Sequence, residues 1–235
     1  MSLFVAFSVF EVCRNVVGVA GNIFAFGLNL SPIPTFRRIV RNESTEMFSG
    51  LPYIYSLLNC LICLWYGTPL VSPNKLLLFS VNAIGATFQS VYIILFLIYA
   101  EKAKKVRMLG LLVAVLGIFA VVLVGSLQIS DITTRRMVVG FLSCASLISM
   151  FASPLFIINL VIRTKSVEFM PFYLSLSTFL MTASFFLYGL LSYDAFIYVP
   201  NGIGALLGLT QLALYFYYHR SSHEDSREPL MSSCA

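Results

Sequence analysis

Charged residues fall in clusters along this chain. Between the clusters lie seven long stretches without Asp, Glu, Lys or Arg: 15–36, 47–74, 76–100, 108–130, 137–162, 169–193 and 195–219. Each exceeds the ~20 residues a helix needs to cross a hydrocarbon core of about 30 Å. The stretches are apolar throughout and do not alternate at period two. Only helices or closed barrels satisfy their backbone groups in lipid, so the pattern predicts seven transmembrane helices. Composition agrees, with 59% hydrophobic and 11% charged residues, against roughly 25% charged in ordinary globular proteins. Mean hydropathy is +0.89. So few charges cannot cover a water-facing surface, and a soluble fold is excluded.

The basic residues set a direction. Arg37, Arg38 and Arg41 follow the first stretch, Lys102, Lys104, Lys105 and Arg107 the third, and Arg163 and Lys165 the fifth. With Arg220 and Arg227 in the polar tail, that side holds eleven, against four (Arg14, Lys75, Arg135 and Arg136) on the other. The positive-inside rule then puts the C-terminus in the cytosol and the N-terminus outside or in a lumen. The net charge of +5 is explained by topology and a lipid surface, without a nucleic-acid partner. The start, MSLFVAFSVFE, lacks a basic n-region, so no cleavable signal is expected. Residues 220–235 read as a disordered cytosolic tail. Cys60 and Cys63 form a CxxC inside an apolar helix with no nearby His, which reads as packing and not as a metal or redox site.

The chain also repeats itself. SPIPTFRRIVRNESTE at 31–46 matches SPLFIINLVIRTKSVE at 153–168 through Ser, Pro, Arg, Ser and Glu in register. LPYIYSLL at 51–58 then matches MPFYLSLS at 170–177, LWYG at 64–67 matches FLYG at 186–189, and NAIG at 82–85 matches NGIG at 201–204. Order is kept throughout, so three helices are duplicated. The stretch 108–130 belongs to neither copy. Three is an odd number, and one inserted helix restores the same orientation to the second copy. The expectation is an all-α membrane protein in a 3+1+3 arrangement: a first repeat over 14–100, a linker helix at 108–130, a second repeat over 137–219, and the tail.

Asn82 and Asn201 stand early in the third helix of each copy. A primary amide offers two donors and two acceptor lone pairs, which suits a hydroxyl that both gives and takes. The competing reading is interhelical glue, worth about 0.6–2 kcal/mol in membranes. Repetition at the same place in both copies favours a ligand clamped from two sides.

Taken together, the paired proline segments, the WYG and LYG ends and the duplicated Asn-x-x-Gly resemble the SWEET family of sugar transporters over residues 14–219. That family is an established example of parallel repeats around a midplane site, so the correspondence is a known case and not a deduction. The resemblance implies a facilitative carrier of a hexose such as glucose, with sucrose as an option. In the family a tryptophan commonly stands sixteen residues before the second Asn. Here that position is Phe185, which keeps an aromatic face and drops the indole N–H. Cys63 and Asn59 line the corresponding region of the first copy, and Met150 and Met181 complete the expected pocket. Pro32, Pro52, Pro154 and Pro171 are implied as the inner hinge, and Tyr66 and Asp194 as the outer gate. A homo-oligomer is implied, in the plasma membrane or alternatively the vacuolar membrane.

No Asp, Glu, Lys or Arg lies inside the seven stretches. Ion-coupled carriers bury an ionisable group or an ion cage, so the expected mechanism is uniport, with no metal and no cofactor. The alternatives are a related PQ-loop carrier of an amino acid, which would need charged pocket residues, and a seven-helix receptor, which would have no reason to duplicate three helices. An enzyme is not expected: His219 and His223 sit in or beside the tail, away from any nucleophile.

Overall fold

Proline and glycine decide where the long apolar stretches bend. A computed structural model describes residues 2–167 and 170–225, with side chains from 9 to 219 outside 168–169. Glu168, Arg227 and Cys234 lie outside the described residues. Among those described the chain forms nine helices and no strand: α1 (Ser2–Leu30), α2 (Ile33–Arg41), α3 (Leu51–Tyr66), α4 (Leu76–Tyr99), α5 (Lys102–Leu127), α6 (Ile132–Ser149), α7 (Ala152–Thr164), α8 (Phe172–Leu191) and α9 (Ala195–Asp225).

Six spans are long and apolar enough to cross a membrane, and α3 is a shorter apolar helix. Two of the six are interrupted, which the uncharged stretches did not reveal. The first breaks at Ser31–Pro32, where Pro32 precedes α2. The fourth, Ile132–Thr164, breaks at Met150–Phe151, with Pro154 in the first turn of α7. A proline lacks the N–H its turn needs and crowds the carbonyl four residues back. The second stretch, 47–74, yields only the 16 residues of α3, about 24 Å at 1.5 Å per residue. Pro69 and Pro73 follow its end, and the segment from Gly67 to Lys75 folds under the bundle, burying Val71 and Ser72. The inserted helix starts at Lys102 rather than at 108. The last helix continues to Asp225, so the tail expected to be disordered from 220 begins as helix.

Packing repeats as the sequence does. In the first copy α4 lies against α1, α2 and α3, and in the second α9 lies against α6, α7 and α8. Two interfaces join the copies, α1 with α8 and α6 with α3, which are one contact with the copies exchanged. The inserted α5 rests on α3, α4 and α6. Its Val106, Val113 and Val121 are exposed, as a lipid-facing helix requires.

The two ends of the bundle differ. At the Tyr66 end, Trp65, Tyr66, Val71, Val139, Phe185 and Tyr188 form one buried core drawn from both copies. At the opposite end the buried core of Phe36, Ile39, Ile54, Tyr92 and Phe96 belongs to the first copy and α5 alone. One end is sealed across the copies and the other is not.

Candidate functional site

All seven expected pocket residues line one cavity of about 320 Å³ between the two copies. Asn59 and Cys63 come from α3, Asn82 from α4, Met181 and Phe185 from α8, and Asn201 from α9, while Met150 stands at the break between α6 and α7. Asn82 donates from Nδ2 to the Leu78 carbonyl at 2.8 Å, and Asn201 donates to the Ile197 carbonyl at 2.8 Å. Each bond reaches back four residues along its own helix. It fixes the amide and, among the described residues, leaves Oδ1 and one N–H without a protein partner. Pro200 sits inside α9 immediately before Asn201, where it removes a backbone N–H and loosens the helix beside the amide. Asn59 is occupied differently, accepting at Oδ1 from the Cys63 thiol at 3.6 Å.

Two further amides line the same cavity and escaped the sequence reading. Asn29 donates to the Ala25 carbonyl at 3.0 Å, its own carbonyl accepts from the Tyr92 hydroxyl at 2.6 Å, and its Oδ1 accepts from Gln89 Nε2 at 3.2 Å. Because Asn29 turns Nδ2 to the Ala25 carbonyl and Oδ1 to Gln89, Gln89 presents Nε2 and leaves its Oε1 buried with no partner among the described residues. A buried acceptor in that condition costs about 1–3 kcal/mol. Gln89 stands seven residues after Asn82, nearly two turns along α4.

Tyr66 and Asp194 are brought into contact. The Tyr66 hydroxyl reaches both carboxylate oxygens, at 2.8 and 2.9 Å. Arg136 Nη2 adds a bond at 2.9 Å, Lys75 Nζ lies at 3.2 Å, and the Phe196 N–H donates at 3.2 Å. The Asp194 side chain is fully buried. Burial pushes the Lys75 ammonium below its usual range, and the Asp194 carboxylate opposes that shift. Lys75 and Asp194 each stand seven residues before the paired asparagines, so the ion pair joins equivalent points of the two copies. Their neighbours are equivalent too: Tyr66 bonds Asp194, and the ring of its counterpart Tyr188 lies 6.0 Å from Lys75 Nζ. From sequence, Lys75 and Arg136 entered only as topology charges. The available signal was that the residue before each third helix is charged, with opposite sign.

The repeated Tyr-Gly ends have a steric reason. A Cβ on Gly67 would fall 2.9 Å from the Phe79 backbone nitrogen, and one on Gly189 would fall 2.6 Å from that of Tyr198. The prolines are less united. Pro154 and Pro171 share a pocket of about 230 Å³, and Pro171 also borders one of about 410 Å³ with Leu28. Leu28 lines the central cavity as well, so the cavity leads towards Pro171. Pro32 and Pro52, which begin α2 and α3, line neither pocket. Cys60 and Cys63 are free and buried.

With this geometry in view, comparison with known proteins is direct. The family model described as "Sugar efflux transporter for intercellular exchange" matches twice, over residues 15–104 and 137–223. The chain is 65% identical over 234 residues to bidirectional sugar transporter SWEET2 of Arabidopsis thaliana, covering 99% of each. It is 61% identical over 216 residues to SWEET2a of Oryza sativa subsp. japonica, covering 92% of this chain and 89% of the relative. A solved eukaryotic SWEET transporter superimposes with a TM-score of 0.88 at 57% identity, covering 90% of this chain and 99% of that one. A duplicated all-helical membrane fold, the doubled family match and these identities lead to one conclusion: the chain belongs to the SWEET family of transporters.

Proposed function

We propose that this protein carries a small sugar, a hexose such as glucose, across a membrane by alternating access without ion coupling. The observation that carries the reading is the pair Asn82 and Asn201. They hold the same place in the two copies, make the same backward bond, and keep one acceptor and one donor free at a shared cavity. Two such amides match hydroxyls from opposite sides. Phe185, Met150 and Met181 supply the apolar surface against which the C–H face of a sugar ring packs, and Gln89 Oε1 adds an acceptor that demands a donor. A volume of about 320 Å³ lies at the small end of the roughly 300–1,000 Å³ typical of ligand pockets, which favours a monosaccharide over a disaccharide. The relatives named as bidirectional sugar transporters support the same substrate class.

No Asp, Glu, Lys, Arg or His is among the cavity-lining residues. That supports uniport, since proton- or sodium-coupled carriers hold an ionisable group or ion cage on the path. It also disfavours an amino acid, whose ammonium and carboxylate would need partners. The Tyr66–Asp194 contact, reinforced by Lys75 and Arg136, acts in this reading as the outer gate. Pro32, Pro52, Pro154 and Pro171 act as the hinge at the other end, and the repeats over 14–100 and 137–219 rock about the helix at 108–130. With the Tyr66 end sealed and the cavity leading towards Pro171, the conformation faces inward. The basic residues put that open end in the cytosol, and the plasma membrane is the proposed location.

The test is counterflow of radiolabelled glucose in proteoliposomes, with and without a proton gradient. Exchange indifferent to the gradient is expected. Gradient-driven accumulation would overturn uniport, and exchange of an amino acid in place of glucose would overturn the substrate class.

A further inference from the structure

A second cavity lies outside the transport path. It is a groove of about 510 Å³ between α2 and α4, larger than the central cavity at about 320 Å³. Val40 on α2 and Phe88, Val91 and Leu95 on α4 form its floor, and Arg37 and Arg41 stand on its rim. Both helices belong to apolar spans. Val40 and Val91 are exposed, so the groove opens on the lipid and not on the interface between the copies.

The two arginines are the unusual part. They are four residues apart, hence one turn apart on the same face of α2. Both are exposed, and neither makes an ion pair or hydrogen bond among the described residues. Their neighbours are satisfied. Arg38 pairs with Glu46, Asn42 donates to the same carboxylate at 2.7 Å, and Lys104 donates to the Glu46 carbonyl at 2.6 Å. Glu46 is therefore already engaged, and Arg37 and Arg41 are left as free cations at the mouth of an apolar groove. Duplication does not explain them. In the register that aligns Arg41 with Arg163, Arg37 falls on Asn159, so the second copy keeps only one of the pair.

An arginine fork matches phosphate oxygens in a way that a single hydroxyl does not. Basic pockets between membrane helices select acidic lipid headgroups, because the anion meets fixed cations at the depth where the acyl chains begin. We propose that the groove between α2 and α4 binds one acidic phospholipid of the surrounding leaflet. Its phosphate sits between Arg37 and Arg41, and an acyl chain lies along Val40, Phe88, Val91 and Leu95. The ligand is chosen by charge at the rim and by the apolar floor beneath it. The lipid touches α2, the segment beyond the Pro32 break, and α4, the helix that carries Asn82, so it braces the broken first span against the third.

Native mass spectrometry of the purified full-length protein tests this, with dioleoyl phosphatidylglycerol and dioleoyl phosphatidylcholine as probes at equal concentration. Wild type should retain one phosphatidylglycerol with a preference of about ten-fold or more over phosphatidylcholine. Arg37→Gln with Arg41→Gln should reduce phosphatidylglycerol to the level of phosphatidylcholine. Val91→Trp, which fills the groove and keeps both charges, should lower retention of that one lipid. Equal retention of both lipids by wild type would overturn the proposal without any variant having to fold. Undiminished phosphatidylglycerol binding in the double variant would also overturn it. So would a Val91→Trp protein that loses an oligomer while keeping its lipid, since the groove would then be a contact between copies of this chain.

Discussion

Asn82 and Asn201 make the same bond at the same length, yet the walls around them differ. Asn59 and Cys63 stand eight and four residues before Gly67, and in the second copy the same offsets from Gly189 give Met181 and Phe185. Seven residues after each asparagine stand Gln89 in one copy and Gly208 in the other. The first copy therefore presents amides and a thiol, and the second an aromatic ring and thioethers. The Tyr-Gly turns and the paired asparagines have stayed alike, and the other wall positions of the cavity have diverged. A cavity with one polar wall and one apolar wall suits a sugar, which has hydroxyl edges and C–H faces.

The largest expected effect comes from the contact that joins the copies. Asp194→Ala leaves Lys75 and Arg136 facing each other without their buried anion, and breaking such a cluster costs about 3–5 kcal/mol. A large drop in melting temperature and in exchange is expected. Lys75→Met should be milder, because Tyr66, Arg136 and the Phe196 N–H still serve the carboxylate. If Lys75→Met proved as damaging as Asp194→Ala, the cross-copy ion pair would be the dominant bond of that end.

Next come the shared turns. Gly67→Ala and Gly189→Ala should each destabilise by about 1–3 kcal/mol, because the new Cβ meets backbone and not a flexible side chain. Similar losses in thermal melts are expected for both. A harmless Gly189→Ala would mean that the copies have diverged there as well.

The asymmetric wall gives smaller effects. Gln89→Met keeps the length of the side chain and removes both the unpartnered acceptor and the bond to Asn29 Oδ1, losses that offset each other in stability. KM for glucose should rise about two- to ten-fold, the worth of one ordinary hydrogen bond, with a smaller change in melting temperature than the glycine variants show. A fall in melting temperature at unchanged KM would return Gln89 to holding α4 against α1. Smallest of all, Phe185→Trp restores the indole common in the family. Its ring already lies against the backbone of Gly21, where a Cβ would meet it at 2.8 Å, so the larger ring must displace α1 slightly. A few-fold shift in relative exchange among hexoses is expected, and an unchanged sugar profile would place position 185 outside the contact.

Much of this was legible in the sequence because charge is so costly in lipid. Uncharged stretches mark spans, and duplication pairs Asn82 with Asn201, whereas Phe185, Cys63, Asn59, Met150 and Met181 are expected from the family resemblance; all seven line one cavity. What escaped has physical causes. An uncharged stretch looks the same whether its helix is continuous or broken, so the stretches alone hid the interruptions at Ser31–Pro32 and Met150–Phe151, and only the matched prolines Pro32 and Pro154, expected as hinge residues, pointed there. The segment from Gly67 to Asn74 carries no charge and so joins the helix before it in one uncharged stretch, which hid the shortness of α3 although Pro69 and Pro73 mark its end. Lys75 and Arg136 lie outside the stretches and counted only towards sidedness, because charges in different loops are paired by folding and not by spacing. Gln89 sits among Phe88, Val91 and Ile93, where one amide among apolar neighbours gives no sign of the Asn29 network that leaves its oxygen unpartnered.

The central claim is that two equivalent asparagines hold one sugar between the copies. Glucose counterflow through Asn82→Ala and Asn201→Ala, each checked by its melting temperature, tests it most directly. Both variants should fold as wild type does and lose exchange to a similar degree. Folded variants that exchange glucose at the wild-type rate would contradict the account and return both amides to holding helices together.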